Sequence, residues 1–255
     1  MEEIAPGSIL QRMYFKKRIA RLKPKRFCEI GSGNGILSAI LLHNGYTGIG
    51  FDLNAEACRN NLQRNSRFVE EGHYKVINED FLSFPHTEKY DLIFSSMVIE
   101  HLDEKQVEAY FTSCRKLLNK AGTIAIFVPS SKKHWGIEDE IAGHYKRYEF
   151  EDLKTIAKEY GLRITDLSGL TFPLSNWLLG LSNRLVAKNE GYKKNLSMQE
   201  QTILSGNRGT PFKTVFPWYL KIFLNQWVLY PFYVLQRLYK NHTGNLVVYC
   251  EYTLA

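Results

Sequence analysis

Cys28-Glu29-Ile30-Gly31-Ser32-Gly33-Asn34-Gly35 reads as the end of a β-strand and a G-x-G-x-G turn, opening a helix over residues 36–43. Glycines are needed where a backbone turns sharply and lets a ligand approach with no Cβ in the way. The helix beyond presents unpaired N–H groups to a polar ligand. A dinucleotide fingerprint requires a further glycine one position later, where Ile36 stands. Glu29, just ahead of the first glycine, also argues against a bound pyrophosphate. An acid at that point suits a ligand carrying a cationic group.

Outward from this turn, β-rich runs alternate with helical ones between about residues 25 and 170. That is the pattern of a parallel sheet with crossover helices. Strands are expected at 26–30, 46–52, 74–78, 90–95, 122–129 and 162–168, with a last one at 245–253. Helices are expected at 36–43, 56–65, 105–118 and 151–160. Asp52-Leu53, Asp80-Phe81 and Ser95-Ser96 stand at the carboxyl ends of successive strands, where open parallel sheets bind ligands. Asp52 can accept from both hydroxyls of a ribose, and Asp80 from an adenine amino group.

This ordered set resembles the class I S-adenosylmethionine-dependent methyltransferases over roughly residues 26–129. The resemblance implies an α/β Rossmann-like fold: a seven-stranded, mostly parallel sheet with helices on both faces and an antiparallel last strand. It implies S-adenosylmethionine as cofactor, with Glu29, Gly31, Gly33, Gly35, Asp52, Leu53, Asp80, Phe81 and Ser95 as the residues that hold it.

Methyl transfer needs an acceptor held in line with the methyl group, and a protonated alcohol needs a base or a metal as well. Two segments offer such groups. Met97-Val98-Ile99-Glu100-His101 resembles the E-x-x-E-H loop of ubiquinone-type O-methyltransferases, with Met97 in place of the first glutamate, so no metal is assigned. His101 either takes part in the chemistry or helps start a helix. Asp139 to Tyr148 carries a D-x-x-x-G-H-x-(R/K)-R-Y arrangement, similar to methyltransferases of the type 11/12 group in bacterial surface-polysaccharide clusters. His144 is the candidate base, and Lys146, Arg147 and Tyr148 the candidate substrate contacts. Arg147 equally suits a pairing with a carboxylate among Glu138–Glu140.

Between residues 171 and 244 alternation stops and aromatic residues crowd in, giving a mainly helical, aromatic-rich insert before the last strand. The expected organisation is a core of residues 1–170 plus 245–255 and a cap of 171–244. Residues 193–210 read as a polar loop, and 172–181 and 215–240 as patches suited to a membrane interface, a lipid-linked acceptor or simple packing. A basic helix over 11–26 is expected to face Met13, Ile19 and Leu22 inward.

The net charge of +7 suits an anionic partner without naming one. Four cysteines far apart, with no CxxC spacing, fit reduced buried thiols. With no signal-like or bilayer-length apolar run, the expectation is a cytoplasmic protein with peripheral contact at the inner membrane face. The acceptor expected from these features is a small molecule or lipid-linked glycan. No nucleic-acid module is visible, and RNA methylation or a non-catalytic cofactor-binding subunit are the competing readings.

Overall fold

The computed structural model describes residues 5–205, 216, 220 and 222–255. Its elements, in chain order, are α1 (Pro6–Leu22), β1 (Arg26–Ile30), α2 (Ile36–Leu42), β2 (Thr47–Phe51), α3 (Ala55–Arg64), α4 (Ser66–Glu70) and β3 (Tyr74–Ile77). There follow β4 (Tyr90–Ser96), α5 (Glu104–Leu117), β5 (Leu118–Pro129), α6 (Ile137–Ala142), α7 (Phe150–Glu159) and β6 (Leu162–Leu170). The chain ends with α8 (Leu174–Glu190), α9 (Met198–Ser205), α10 (Tyr230–Leu238) and β7 (Val247–Leu254). Every expected strand is present, with ends shifted by a few residues at most.

The chain divides into two compact units. One comprises Ile19–Val128, Phe150–Leu167 and Tyr249–Ala255; the other comprises Met1–Arg18, Pro129–Glu149 and Ser168–Val248. We call them the sheet unit and the helical unit.

The seven strands run in the order β3-β2-β1-β4-β5-β7-β6. The pairings from β3 through β5 are parallel, and the sheet as a whole is mixed. This order fits the Rossmann-like fold that the resemblance implies. Its centre is apolar on both faces: Phe27 and Cys28 of β1 and Leu92, Ile93 and Phe94 of β4 are completely buried, as parallel strands covered by crossovers must be. Phe111 of α5 stacks on Tyr160 and meets Tyr252 of β7 edge-on, which seats that helix on the sheet. The crossover helices start on local signals. Asn54 caps α3 by accepting from Glu56 and Ala57, and Asp103 and Gln106 form a capping box at α5. All four cysteines are buried and unbridged, matching the thiol reading.

In the helical unit α1 begins at Pro6, with proline at its favoured first position, and not at residue 11. Ile9, Leu10, Tyr14, Phe15 and Ile19 are its buried residues, whereas Met13 and Leu22 are only half-buried. The loop expected over 193–210 is also corrected. Gly191–Asn195 is a 3₁₀ turn and α9 follows it, started by Ser197 and Glu200, whose side chains bond back to each other's backbone N–H. Residues 206–210 of that expected loop lie outside the described residues, as does much of 215–221. Among the described residues no helix is long and apolar enough to cross a membrane.

Asp91 ties three central strands, β1, β4 and β5, together at the end of the sheet away from the glycine turn. One carboxylate oxygen accepts from the N–H groups of Lys25 and Arg26 at 3.1 and 3.0 Å, and the other from the Asn119 amide at 2.8 Å. Replacing Asp91 with Ala orphans these donors and is expected to cost about 1–3 kcal/mol in urea unfolding. An unchanged midpoint would show that these three hydrogen bonds do not anchor the sheet.

Candidate functional site

The glycine turn alternates left-handed backbone at Gly31 (φ 70°), Gly33 (φ 49°) and Gly35 (φ 71°). Steric need differs among them. A Cβ on Gly31 would lie 2.4 Å from Val98 Cγ2, and one on Gly35 would lie 2.0 Å from Asn61 Oδ1. A Cβ on Gly33 would meet nothing within 4 Å, so the turn is open there. The Ser32 N–H donates to the Phe51 carbonyl and the Gly33 N–H to Asp52 Oδ2 at 2.7 Å, hanging the turn from the end of β2.

Beneath the turn lies a buried polar chain that sequence reasoning missed. Asn65 donates to the Gly35 carbonyl and to Asn61 Oδ1; Asn61 donates to Ser32 Oγ and Tyr74 Oη. Tyr74 donates to Ser38 Oγ, and Ser38 donates to Glu29. Arg64 adds a bond to the Asn34 carbonyl at 2.9 Å. The available signal was the spacing of Asn61 and Asn65, four residues apart and so on one face at the end of α3.

Glu29 is 2% exposed, and burial, opposed by Ser38 and reinforced by Asp52, raises its pKa to about 8. A buried carboxyl in that state gains its charge readily when a cation arrives beside it. Asp52 is half-buried, with Oδ1 accepting from Asn54 N–H at 2.8 Å, and burial raises its pKa too. Leu53 is 58% exposed beside it, an apolar surface suited to an aromatic base. Asp80 is exposed at the end of β3, its Oδ1 accepting from Leu82 N–H.

Two of the expected cofactor residues point elsewhere. The Phe81 ring is buried against Phe51 and His86, which leaves its backbone as the group it can offer a ligand. The Ser95 hydroxyl is buried 2.9 Å from Tyr110 Oη, whereas Ser96, on the opposite face of the strand, is half-buried. Beyond them Met97 takes a left-handed conformation (φ 56°), and His101 closes a 3₁₀ turn, Ile99–His101, half-buried.

In the helical unit Asp139 organises the segment expected to face an acceptor. It is fully buried in α6, and its Oδ2 caps Gly136 N–H. Oδ1 lies 2.9 Å from His144 Nδ1 and also accepts from Arg147 Nε; Oδ2 accepts from Arg147 Nη2. Arg147 Nη1 reaches the Ser130 carbonyl at 2.9 Å. Burial works to raise the Asp139 pKa, but the bonds from His144 and Arg147 overcome it and hold the group at about 2. Gly143, left-handed at φ 70°, ends α6 and turns the chain so that His144 comes back onto Asp139.

The four residues expected on the acceptor side therefore separate. His144 is half-buried and Lys146 exposed, with its ammonium 4.7 Å from the centre of the Tyr148 ring. Arg147 is committed to Asp139 and Ser130, and Tyr148 is completely buried, so both hold the segment together instead of facing an acceptor. Tyr145, 51% exposed between His144 and Lys146, had no sequence signal to single it out.

The model of the methyltransferase-domain family matches residues 7–167, more than half of the chain. The chain belongs to that family. No curated protein sequence matches it. Solved structures share the fold. An S-adenosylmethionine-dependent methyltransferase from Clostridium acetobutylicum superposes with TM-score 0.50 at 14% identity, covering 63% of this chain and 82% of that one. The N-methyltransferase NodS from Bradyrhizobium japonicum, in complex with S-adenosyl-L-homocysteine, gives 0.51 at 20% identity, covering 64% and 80%. The magnesium protoporphyrin IX methyltransferase of Synechocystis, with bound S-adenosylmethionine, gives 0.50 at 15% identity, covering 64% and 74%. The chain is thus a methyltransferase-family protein with the fold of S-adenosylmethionine-dependent methyltransferases. The open side of Gly33, the carboxylate of Asp52, the exposed Leu53 and the chargeable Glu29 fit the ribose, adenine and ammonium of that cofactor.

Two predictions follow the carboxylates. Glu29 keeps its proton to about pH 8 in the ligand-free protein, so pairing with the cofactor's ammonium releases a proton. Affinity measured by calorimetry is expected to rise with pH by about tenfold per unit and to level off near pH 8, and Glu29→Gln to flatten the rise. A pH-independent affinity in the unaltered protein would remove the pairing. The same raised pKa makes Glu29 favour folding most below its ordinary value of 4.5 and progressively less up to about 8. Asp139 is opposite in sign: its contribution is present above its ordinary 3.8 and is lost as pH falls toward about 2. Asp139→Ala leaves Arg147 buried without its carboxylate and should cost roughly 3–5 kcal/mol in thermal or urea unfolding, a loss that a mere surface ion pair would not produce.

Proposed function

We propose that this methyltransferase O-methylates a glycan, glycolipid or lipid-linked intermediate, with His144 taking the proton of the acceptor hydroxyl. The observation that carries the reading is the Asp139–His144 pair. The 2.9 Å contact at Nδ1 fixes the imidazole with its proton on Nδ1 and its basic lone pair on Nε2, the arrangement of an oriented general base. S-adenosylmethionine, when bound, supplies an electrophilic methyl group on a sulfonium. His144 Nε2 would take the hydroxyl proton as the acceptor oxygen receives that methyl group. The products are a methyl ether and S-adenosylhomocysteine.

In the sheet unit, Asp52 and the Gly33 turn bind and orient, while Glu29 neutralises the ammonium. The acceptor class rests on the resemblance of Asp139–Tyr148 to methyltransferases of surface-polysaccharide clusters and on the exposed cation of Lys146, which suits an anionic phosphate or uronate on such an acceptor. His101 is the second candidate for a chemical role; the Asp139 contact favours His144.

The test offers S-adenosylmethionine labelled on its methyl group to three extracts: membrane lipids with lipid-linked glycans, soluble small molecules, and total RNA. Label is expected in the organic-extractable fraction. Label confined to RNA or to soluble molecules would reassign the acceptor, and no label anywhere would favour a cofactor-binding subunit. On the true acceptor His144→Ala is expected to lower kcat by about 10²–10⁴ while leaving cofactor affinity unchanged. Retained turnover would take the base role away from His144.

A further inference from the structure

We infer that one face of the helical unit docks on an anionic membrane surface, without crossing it. The face is built from α8, α10 and the turn before α10. On α8 the exposed residues Trp177, Leu181, Arg184 and Lys188 follow one another at steps of three and four, so they form a single stripe, with Leu178 beside it. On α10 Tyr230, Val234 and Leu238 do the same, with Arg237 beside them, and Trp227 stands exposed in the turn before that helix. Trp177 is 68% exposed and Trp227 80%. The Trp177 and Phe232 rings meet edge-on at 6.0 Å, which places the apolar starts of the two helices together. Both stripes then end in cations, Arg184 and Lys188 on one and Arg237 and Lys240 on the other.

Charge identifies the occupant. Between Asp166 and Glu190, and again between Glu200 and Glu251, the sequence contains no acidic residue. Those two stretches carry seven lysines and arginines, and four of them, Arg184, Lys188, Arg237 and Lys240, are exposed on the described face. A surface shaped to receive a second protein copy would set this excess against itself. A bilayer with anionic headgroups complements it, and its interfacial zone is where tryptophan and tyrosine rings settle. The helices would lie along the surface, as none among the described residues is long and apolar enough to span. The docking holds whatever the methyl acceptor proves to be.

Sedimentation of the full chain with vesicles tests this, using phosphatidylcholine alone and phosphatidylcholine containing about one third phosphatidylglycerol. The chain is expected to sediment with the anionic vesicles and much less with the neutral ones, and salt should weaken but not abolish the binding. Trp177→Ser with Trp227→Ser is expected to reduce the partition at least about tenfold, and Arg237→Glu with Lys240→Glu to remove its dependence on anionic lipid. Both pairs are exposed, so unchanged cofactor affinity serves as the check on folding. The inference is overturned if the full chain stays in the supernatant with anionic vesicles, or if the tryptophan pair is without effect on binding. It is equally overturned if the chain is a stable dimer that the tryptophan substitutions dissociate, since the face would then belong to a second copy.

Discussion

The left-handed turn at Gly35 exists because the Asn61 and Asn65 amides stand directly beneath it. Three glycines in the αL region do not hold themselves there; glycine has many alternatives and loses more freedom than any other residue when fixed. The cost is met by buried hydrogen bonds running from the Gly35 carbonyl through Asn65, Asn61 and Tyr74 to Ser38 and Glu29. Each member is enclosed by protein, and a buried network strengthens its own links while punishing any gap in them. The position of the Gly33 N–H against Asp52, and with it the geometry offered to a ribose, is therefore set from α3 and β3 as much as from the turn itself.

The same chain ends in a carboxyl whose ionisation is unsettled by design of its surroundings. Glu29 has the hydroxyl and backbone N–H of Ser38 as donors and no cation among the contacts described, so burial dominates and the proton stays on. Asp139 is just as enclosed, yet it has a guanidinium, an imidazole and a backbone N–H around it, and it stays ionised. Burial alone decides neither state; the number and charge of the donors does. One acid is arranged to respond to a ligand, and the other to hold a loop still.

Much of this was legible in the sequence because it is written locally. The strand pattern, the glycine spacing and the acids at strand ends are each encoded within a few residues, and the Rossmann-like fold class followed from the resemblance they carry. The Ser197-x-x-Glu200 pair was also legible as a capping box, but the polar look of residues 193–210 obscured it. What could not be read were contacts made across the fold. Nothing near Asn61 announces that it supports a turn nearly thirty residues earlier. Ser95 and Ser96 look equivalent until the strand's pleat sends one to Tyr110 and the other outward. In the sequence Arg147 suits contact with an acceptor and pairing with a carboxylate among Glu138–Glu140 equally, and nothing beside Tyr148 says that its ring is buried. Only the closeness of Asp139 in space assigns Arg147 to the scaffold.

The four cysteines occupy β1, α3, α5 and β7, all within the sheet unit, and each is buried with its thiol pKa raised by desolvation. Thiolate is the reactive form, so the folded chain is nearly inert to alkylating reagents. Any alkylation must wait for the sheet to open. The native cysteines thus form a clock with four hands, distributed from one side of the sheet to the other and silent about the helical unit. Mass spectrometry of pulse-alkylated protein would time the opening of each sheet region separately, with no engineered label.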